Sequence, residues 1–284
     1  MVGGPPIRHT SAMPVTFLAH QAPLFPMRRW WRGMDGVAFV AGTLAPDLST
    51  ATLNTKAHYL WGYPLWFDGH QLNDQVRVCL PIALLVAWLT RRLLAPGLAP
   101  LLPSAGGWHL RDLACLQRGR YRWWVICASA LAGSVSHVLL DALTHEPGGP
   151  RIGIPGLDAT LLTVAGRPLT GGAALQVVAS VGLAAYTLVE SRRIALRRWD
   201  AGPDFAAPEL SGPARLAGRV ALVGGAVLTG LLASTQLHRT LKIAVMTWAW
   251  LGLAVAVLTA LGLRLAGRAP GAAAPSRRAH EAAG

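Results

Sequence analysis

Apolar residues run along this chain in long blocks separated by short polar stretches, without the strict alternation of a half-buried strand. A helix that crosses a bilayer needs about 20 mostly apolar residues. Four segments meet that requirement, 123–144, 171–189, 220–237 and 243–263. A fifth, 78–95, is apolar from Val78 to Thr90 and then meets Arg91 and Arg92, whose aliphatic stems let the charged heads reach the interface. Upstream lie two shorter apolar stretches, Thr16 to Met27 and Gly33 to Ala45, with Arg28, Arg29 and Arg32 between them. At about 1.5 Å per residue each makes an arm of roughly 20 Å, so the pattern predicts a helical hairpin with a basic tip. His20 and Asp47 then stand close together near its open ends.

The expected fold class is all-α, a polytopic membrane helix bundle of about five clear spans plus a shorter N-terminal hairpin. Residues 13–266 form one membrane-embedded domain on this reading. Residues 1–12 are expected to be a disordered extension without the pattern of a signal peptide. Residues 267–284, rich in Ala, Pro, Gly and Arg, are expected to be a disordered cytoplasmic tail. No internal repeat is visible at a fixed period.

Composition agrees with the pattern. Of 284 residues, 52% are hydrophobic and only 14% charged, against about 25% charged in an ordinary soluble domain. Three cysteines, Cys79, Cys115 and Cys127, are too few for a disulfide scaffold. The net charge of +13 comes mostly from arginine and in a soluble protein would suggest nucleic acid. Here the arginines cluster between the apolar blocks, so the bilayer is the expected partner and nucleic acid is not. Segments 91–122, 191–219 and 264–284 hold six, six and four Arg, whereas 145–170 holds Arg151 and Arg167, and 238–242 holds Arg239 and Lys242. The positive-inside rule assigns the first set to the cytoplasm, which makes this a multi-pass cell-membrane protein with a cytoplasmic C-terminus.

Ionisable residues inside an apolar span are costly and therefore informative. In Ser136 to His145 (SHVLLDALTH), His137, Asp141 and His145 are spaced four apart, on one helical face. Imidazole nitrogen with carboxylate oxygen is a ligand set for Zn, Mn, Fe or Ni. His137 and Asp141 lie one turn apart and can reach one divalent ion, while His145, about 12 Å along the axis from His137, would serve a second ion, a substrate or a proton relay. The alternative is a buried His–Asp pair that only holds helices together. Asp47, His70 and His20 map to the same face of the topology, with Asp68 and Asp74 beside His70 and His58, Asp158 and Glu146 as weaker candidates. Ser134 and Ser136 near His137 could imitate a Ser–His–Asp set, which is disfavoured because Ser136, adjacent on a helix, points away. No phosphate loop, nucleophile elbow, CxxC pair or HExxH helix is present, which excludes P-loop ATPases, serine hydrolases and zinc proteases of that motif.

Met13-Pro14-Val-Thr-Phe-Leu-Ala-His20, Gly42-Thr-Leu-Ala-Pro46-Asp47, His70 with Leu80-Pro81, and Ser136-His137-xxx-Asp141-Ala-Leu-Thr144-His145 resemble the bacterial membrane proteins of domain-of-unknown-function family 4184. The likeness covers roughly residues 13–190. The Pro-Asp, His and Ser-His-xxx-Asp elements are more distantly similar to predicted inner-membrane metal-dependent hydrolases. That similarity implies a polar cluster of Asp47, His70, His137 and Asp141, with His20 and His145 belonging to the closer family's pattern. The expected function is a metal-dependent hydrolase: His20, Asp47, His70, His137 and Asp141 bind one or two divalent ions, and His145 shuttles a proton or contacts substrate. A non-enzymatic metal-binding or transport protein is the alternative, and a structural bundle locked by the cluster is a third.

The expected topology can be checked by labelling. With the three native cysteines replaced, a cysteine at Asp158 should react with an impermeant reagent on intact cells, and one at Arg197 should react only after the membrane is opened. The reverse pattern would invert the topology.

Overall fold

Proline breaks and close glycine contacts decide how the apolar blocks are arranged. The computed structural model describes residues 16–53, 59–60, 63–64, 69–144, 156–157, 159–164, 167–202, 204–234 and 241–266. The extension 1–12, the tail 267–284 and the candidates His145, Glu146, His58, Asp68 and Asp158 lie outside the described residues.

Two short helices, α1 (Thr16–Ala19) and α2 (Leu24–Trp30), replace the continuous first arm of the expected hairpin. Pro23 stands at the junction and Pro26 follows within α2. Proline lacks an N–H and its ring crowds the carbonyl one turn back, which kinks or breaks a helix, and here the helix is broken before Pro23. The chain tightens instead: Gln21 N–H donates to the Leu18 carbonyl at 3.2 Å and Ala22 N–H to the Ala19 carbonyl at 3.0 Å, with His20 inside this turn. The arms are also not simply packed on each other, because α1 lies chiefly against α7 (Gly171–Leu196). The second arm is longer than expected. It forms α3 (Gly36–Leu53), which continues through Pro46.

The fifth expected span is likewise longer, a rod from Gln75 to Leu101. It is built from a π-helical turn (Gln75–Cys79), α4 (Leu80–Leu89), a second π-helical turn (Thr90–Leu94), α5 (Ala95–Leu98) and a 3-10 turn (Ala99–Leu101). Arg91 therefore lies within the rod and does not simply reach out to the interface. Its guanidinium donates to the Asp35 carboxylate at 2.5 Å and stands over the Tyr121 ring at 5.0 Å. Asp35, fully buried, also accepts from Ala38 N–H at 3.0 Å and so caps α3. A buried carboxylate without such a partner would cost several kcal/mol.

Among the described residues four helical stretches are long and apolar enough to cross a membrane: Gln75–Leu101, Trp123–Leu143, Gly171–Leu196 and Gly212–Leu232. The last expected span coincides with α9 (Leu241–Ala266), 26 residues long. On α8 (Gly212–Ser234), Leu216, Val220, Val223, Val227 and Leu231 are all exposed at helical spacing, as a lipid-facing stripe must be. Among the described residues the fold departs from purely helical in two antiparallel ladders, β1 (Tyr59–Leu60) with β2 (Tyr63–Pro64) and β3 (Thr160–Val164) with β4 (Arg167–Thr170). Both are short and lie in connections between helices.

The centre of the bundle is the seam between α3 and α6 (Trp123–Thr144). Ala38, Ala41, Ala45 and Ala130 are buried there. A Cβ added at Gly42 would overlap the Ala130 carbonyl, and one at Gly133 would overlap the Phe39 carbonyl. The two glycines thus let backbone meet backbone, as small residues do where membrane helices associate by close packing. Gly133→Ala is expected to destabilise the protein by roughly 1–3 kcal/mol, the usual range for overpacking. Gly182→Ala, in α7 with open space around it, should be neutral or stabilise by up to about 1 kcal/mol. Thermal unfolding of the two variants in detergent measures the contrast.

Candidate metal centre

The seam determines where His137 points. His137 Nδ1 lies 2.7 Å from the Thr43 carbonyl oxygen, 94 residues away in sequence. A carbonyl only accepts, so Nδ1 carries the proton in this contact and Nε2 of the neutral ring keeps its lone pair. That lone pair faces two carboxylates. Asp141 Oδ2, one helical turn on, is 3.3 Å from Nε2, and Asp47 Oδ1, from α3, is 3.8 Å away.

Two more imidazoles close the group. His70 Nε2 lies 3.2 Å from Asp141 Oδ2 and 3.9 Å from Asp47 Oδ1. His20 Nε2 lies 3.4 Å from Asp141 Oδ1, and its ring stacks on that of His137 with centroids 3.9 Å apart. The donor atoms form two overlapping triads, His20/His137/Asp141 and Asp47/His70/His137, each within 4.8 Å of one another. Donors on a tetrahedral ion with bonds of about 2.1 Å are about 3.4 Å apart, so the Asp141-to-histidine spacings fit a shared cation. The chemistry points the same way: a ring lone pair directed at two carboxylates is repulsive until a metal ion or a proton sits between them.

Each residue is held by a different segment. His20 rides on the turn after α1, which is tied down where Thr187 Oγ1 donates to the Leu18 carbonyl at 3.0 Å. Asp47 follows Pro46 on α3, where Ser49 Oγ donates to the Pro46 carbonyl at 2.8 Å. His70 follows Gly69, and a Cβ on Gly69 would overlap Ser49 Oγ and press on the Pro46 carbonyl. Only a glycine lets this loop lie on α3 beside Asp47. Gln75, buried in the first π-helical turn, fastens the loop by donating to the carbonyls of Gly69 at 2.7 Å and Gln71 at 3.0 Å. Its amide oxygen accepts from Ser134 Oγ on α6. A π-helical turn at a functional site is a recurrent device, and here it ties the rod, the His70 loop and α6 together.

Burial is graded across the group. His20, His137 and Asp141 are buried, whereas the side chains of His70 and Asp47 are 17% and 24% exposed. The centre is closed on one side and open on the other. His20, Asp47, His70, His137 and Asp141, singled out in the sequence as metal ligands, therefore stand together. His145 lies outside the described residues, and Asp74, though in the His70 loop, joins neither triad. Ser136 Oγ donates to the Gly133 carbonyl at 2.7 Å, which occupies it away from the centre. Sequence reasoning raised Ser134 only as a possible member of a Ser–His–Asp set, not as the partner of Gln75. Thr43, Gly69 and Gln75 were missed, and of these three only Gln75, a polar residue at the mouth of an apolar span, carried any signal.

Gln75→Leu would strip the Gly69 and Gln71 carbonyls of their donor and leave Ser134 without its acceptor. The expected cost is about 1–3 kcal/mol, with faster amide hydrogen exchange over residues 69–75 than in α6. Unchanged exchange there would show that the loop is held by other contacts.

The family model described as Domain of unknown function (DUF4184) matches residues 13–267. No curated protein matches the chain, and no solved structure does. With the match covering nearly the whole length and the His/Asp group inside it, the chain belongs to the DUF4184 family.

Proposed function

We propose that the protein is a membrane-embedded metal-dependent hydrolase with its His/Asp site near the extracytoplasmic face. His20, Asp47, His70, His137 and Asp141 would hold one or two divalent ions. The observation that carries this reading is the graded burial of a five-residue nitrogen and oxygen donor set, sealed behind His137 and open at Asp47 and His70. Structural metal sites are closed by protein ligands, whereas catalytic ones keep a position for water or substrate. The mixed donors suit Zn, Mn, Fe or Ni. A divalent ion bound there supplies Lewis acidity and makes water nucleophilic near neutral pH.

The chain's own groups then divide the work. Thr43 fixes the tautomer and direction of His137, as hydrogen-bonded partners behind metal-binding histidines commonly do. Asp141 faces all three imidazoles and neutralises charge at the centre. Asp47 and His70 line the opening, where they can orient a substrate. His145, eight residues beyond His137 in sequence, is assigned the role of proton shuttle or substrate contact, for which an imidazole is suited. An ester or phosphoester presented at the membrane surface, lipids included, fits the location.

A transport component using the same residues needs a path past them. On the α3–α6 seam such a path is obstructed by backbone contact at Gly42 and Gly133, and further along by the Asp35–Arg91 pair. This supports a resident ion over a passing one.

Elemental analysis of the purified protein should find about one or two equivalents of a divalent metal, and the His137→Ala/Asp141→Ala double variant should find almost none. Hydrolysis of generic phosphoesters should stop on chelation and return with metal. His145→Ala should keep its metal and lose at least about a hundredfold in rate, the low end for general acid–base catalysis. Absence of metal in the unmodified protein would remove the centre. Metal without any turnover over a broad ester and phosphoester panel would leave a metal-binding protein that is not a hydrolase.

A further inference from the structure

A cavity of about 550 Å³, lined by none of the His/Asp group, lies between α2 and the C-terminal end of α7. Four arginines line it, Arg28, Arg29, Arg193 and Arg197, with two acids, Glu190 and Asp200. Each acid hydrogen-bonds one guanidinium group and lies near a second. Asp200 accepts from Arg28 at 2.7 Å and lies 4.0 Å from Arg197. Glu190, buried, accepts from Arg193 at 2.5 Å and lies 3.6 Å from Arg29. The acids thus position the arginines without neutralising them, and two positive charges remain in excess. The side chains of Arg29, Arg193 and Arg197 stay 66%, 64% and 67% exposed, so their N–H groups still face the opening.

We propose that this cavity is a binding site for a phosphate group, supplied by the headgroup of an anionic phospholipid. Guanidinium groups match phosphate oxygens through paired N–H donors, and a basic pocket between membrane helices is a favourable place for an anionic headgroup. Two observations favour a lipid source over free phosphate. Phe25 and Ile194 give the cavity an apolar wall along which a glycerol backbone and acyl chains can continue. Trp30, next to Arg29 and 90% exposed, is the kind of amphipathic ring that settles at headgroup level. The acids do not oppose this binding, because each is already engaged by the arginines it orients.

The test uses the full chain purified in detergent, with native mass spectrometry reading retention of phosphatidylglycerol against phosphatidylcholine. Arg29→Gln/Arg193→Gln should weaken phosphatidylglycerol binding about tenfold or more. Arg120→Gln/Arg122→Gln, which removes the same charge from exposed positions outside the cavity, should leave it unchanged. Arg197→Gln serves as a second, single-site variant if the first pair fails to fold. A separate titration with inorganic phosphate distinguishes the source: binding that depends on Arg29 and Arg193 without any lipid supports the phosphate site and assigns it to solution. Equal loss in the two double variants, or no preference for phosphatidylglycerol over phosphatidylcholine together with no phosphate binding, overturns the proposal.

Discussion

Backbone-to-backbone contact between α3 and α6 is the constraint on which the rest of the molecule depends. Inside a bilayer no hydrophobic force drives helices together, because lipid tails are as apolar as leucine. What remains is dispersion and hydrogen bonding, and both fall steeply with distance. Gly42 and Gly133 bring the two helices close enough for His137 to reach the Thr43 carbonyl. With a larger residue at either position that contact lengthens, and the ring that faces both carboxylates loses its anchor. The polar group and the small-residue seam are therefore one design.

The seam carries its charges at two levels. At one stands the Asp35–Arg91 pair, with Ser129 Oγ accepting from Asp35 N–H at 3.0 Å. At the other stands the His/Asp group. The ion pair fastens the start of α3 to the rod, and removing one partner of a buried pair is expensive; the Ser129 bond at one level and the His137–Thr43 contact at the other resist sliding of α3 along α6. The glycines set the distance between the helices, and the polar contacts set their register.

Much of the candidate site was legible because it violates the pattern around it. His137 and Asp141 stand out as ionisable residues one turn apart within an apolar helix, and Asp47 follows a proline at the end of an apolar block. The membrane spans were legible from length and hydropathy alone. The first hairpin arm was not, because an apolar count ignores what Pro23 does to a helix. Arg91 looked like a residue escaping to the interface because its partner, Asp35, is 56 positions away. Gly69 looks ordinary in one dimension and Gln75 stands out only as a polar residue at the mouth of an apolar span, since their roles exist only where the loop meets α3 and α6. The ladder of β3 and β4 went unforeseen because residues 160–170 carry too few positions to set a strand period against the surrounding helices.

The histidine held by Thr43 has a consequence for how the chain comes together. Its two halves are 94 residues apart; Asp47 precedes Asp141 by the same distance, and His20 precedes its partners on α6 by a longer one. During synthesis the early segments enter the bilayer long before the helix that completes their polar group exists. A group drawn from residues 20 to 141 cannot close before α6 is made, and an ion caught there would join the earliest and the middle parts of the chain as a staple joins the ends of a folded sheet.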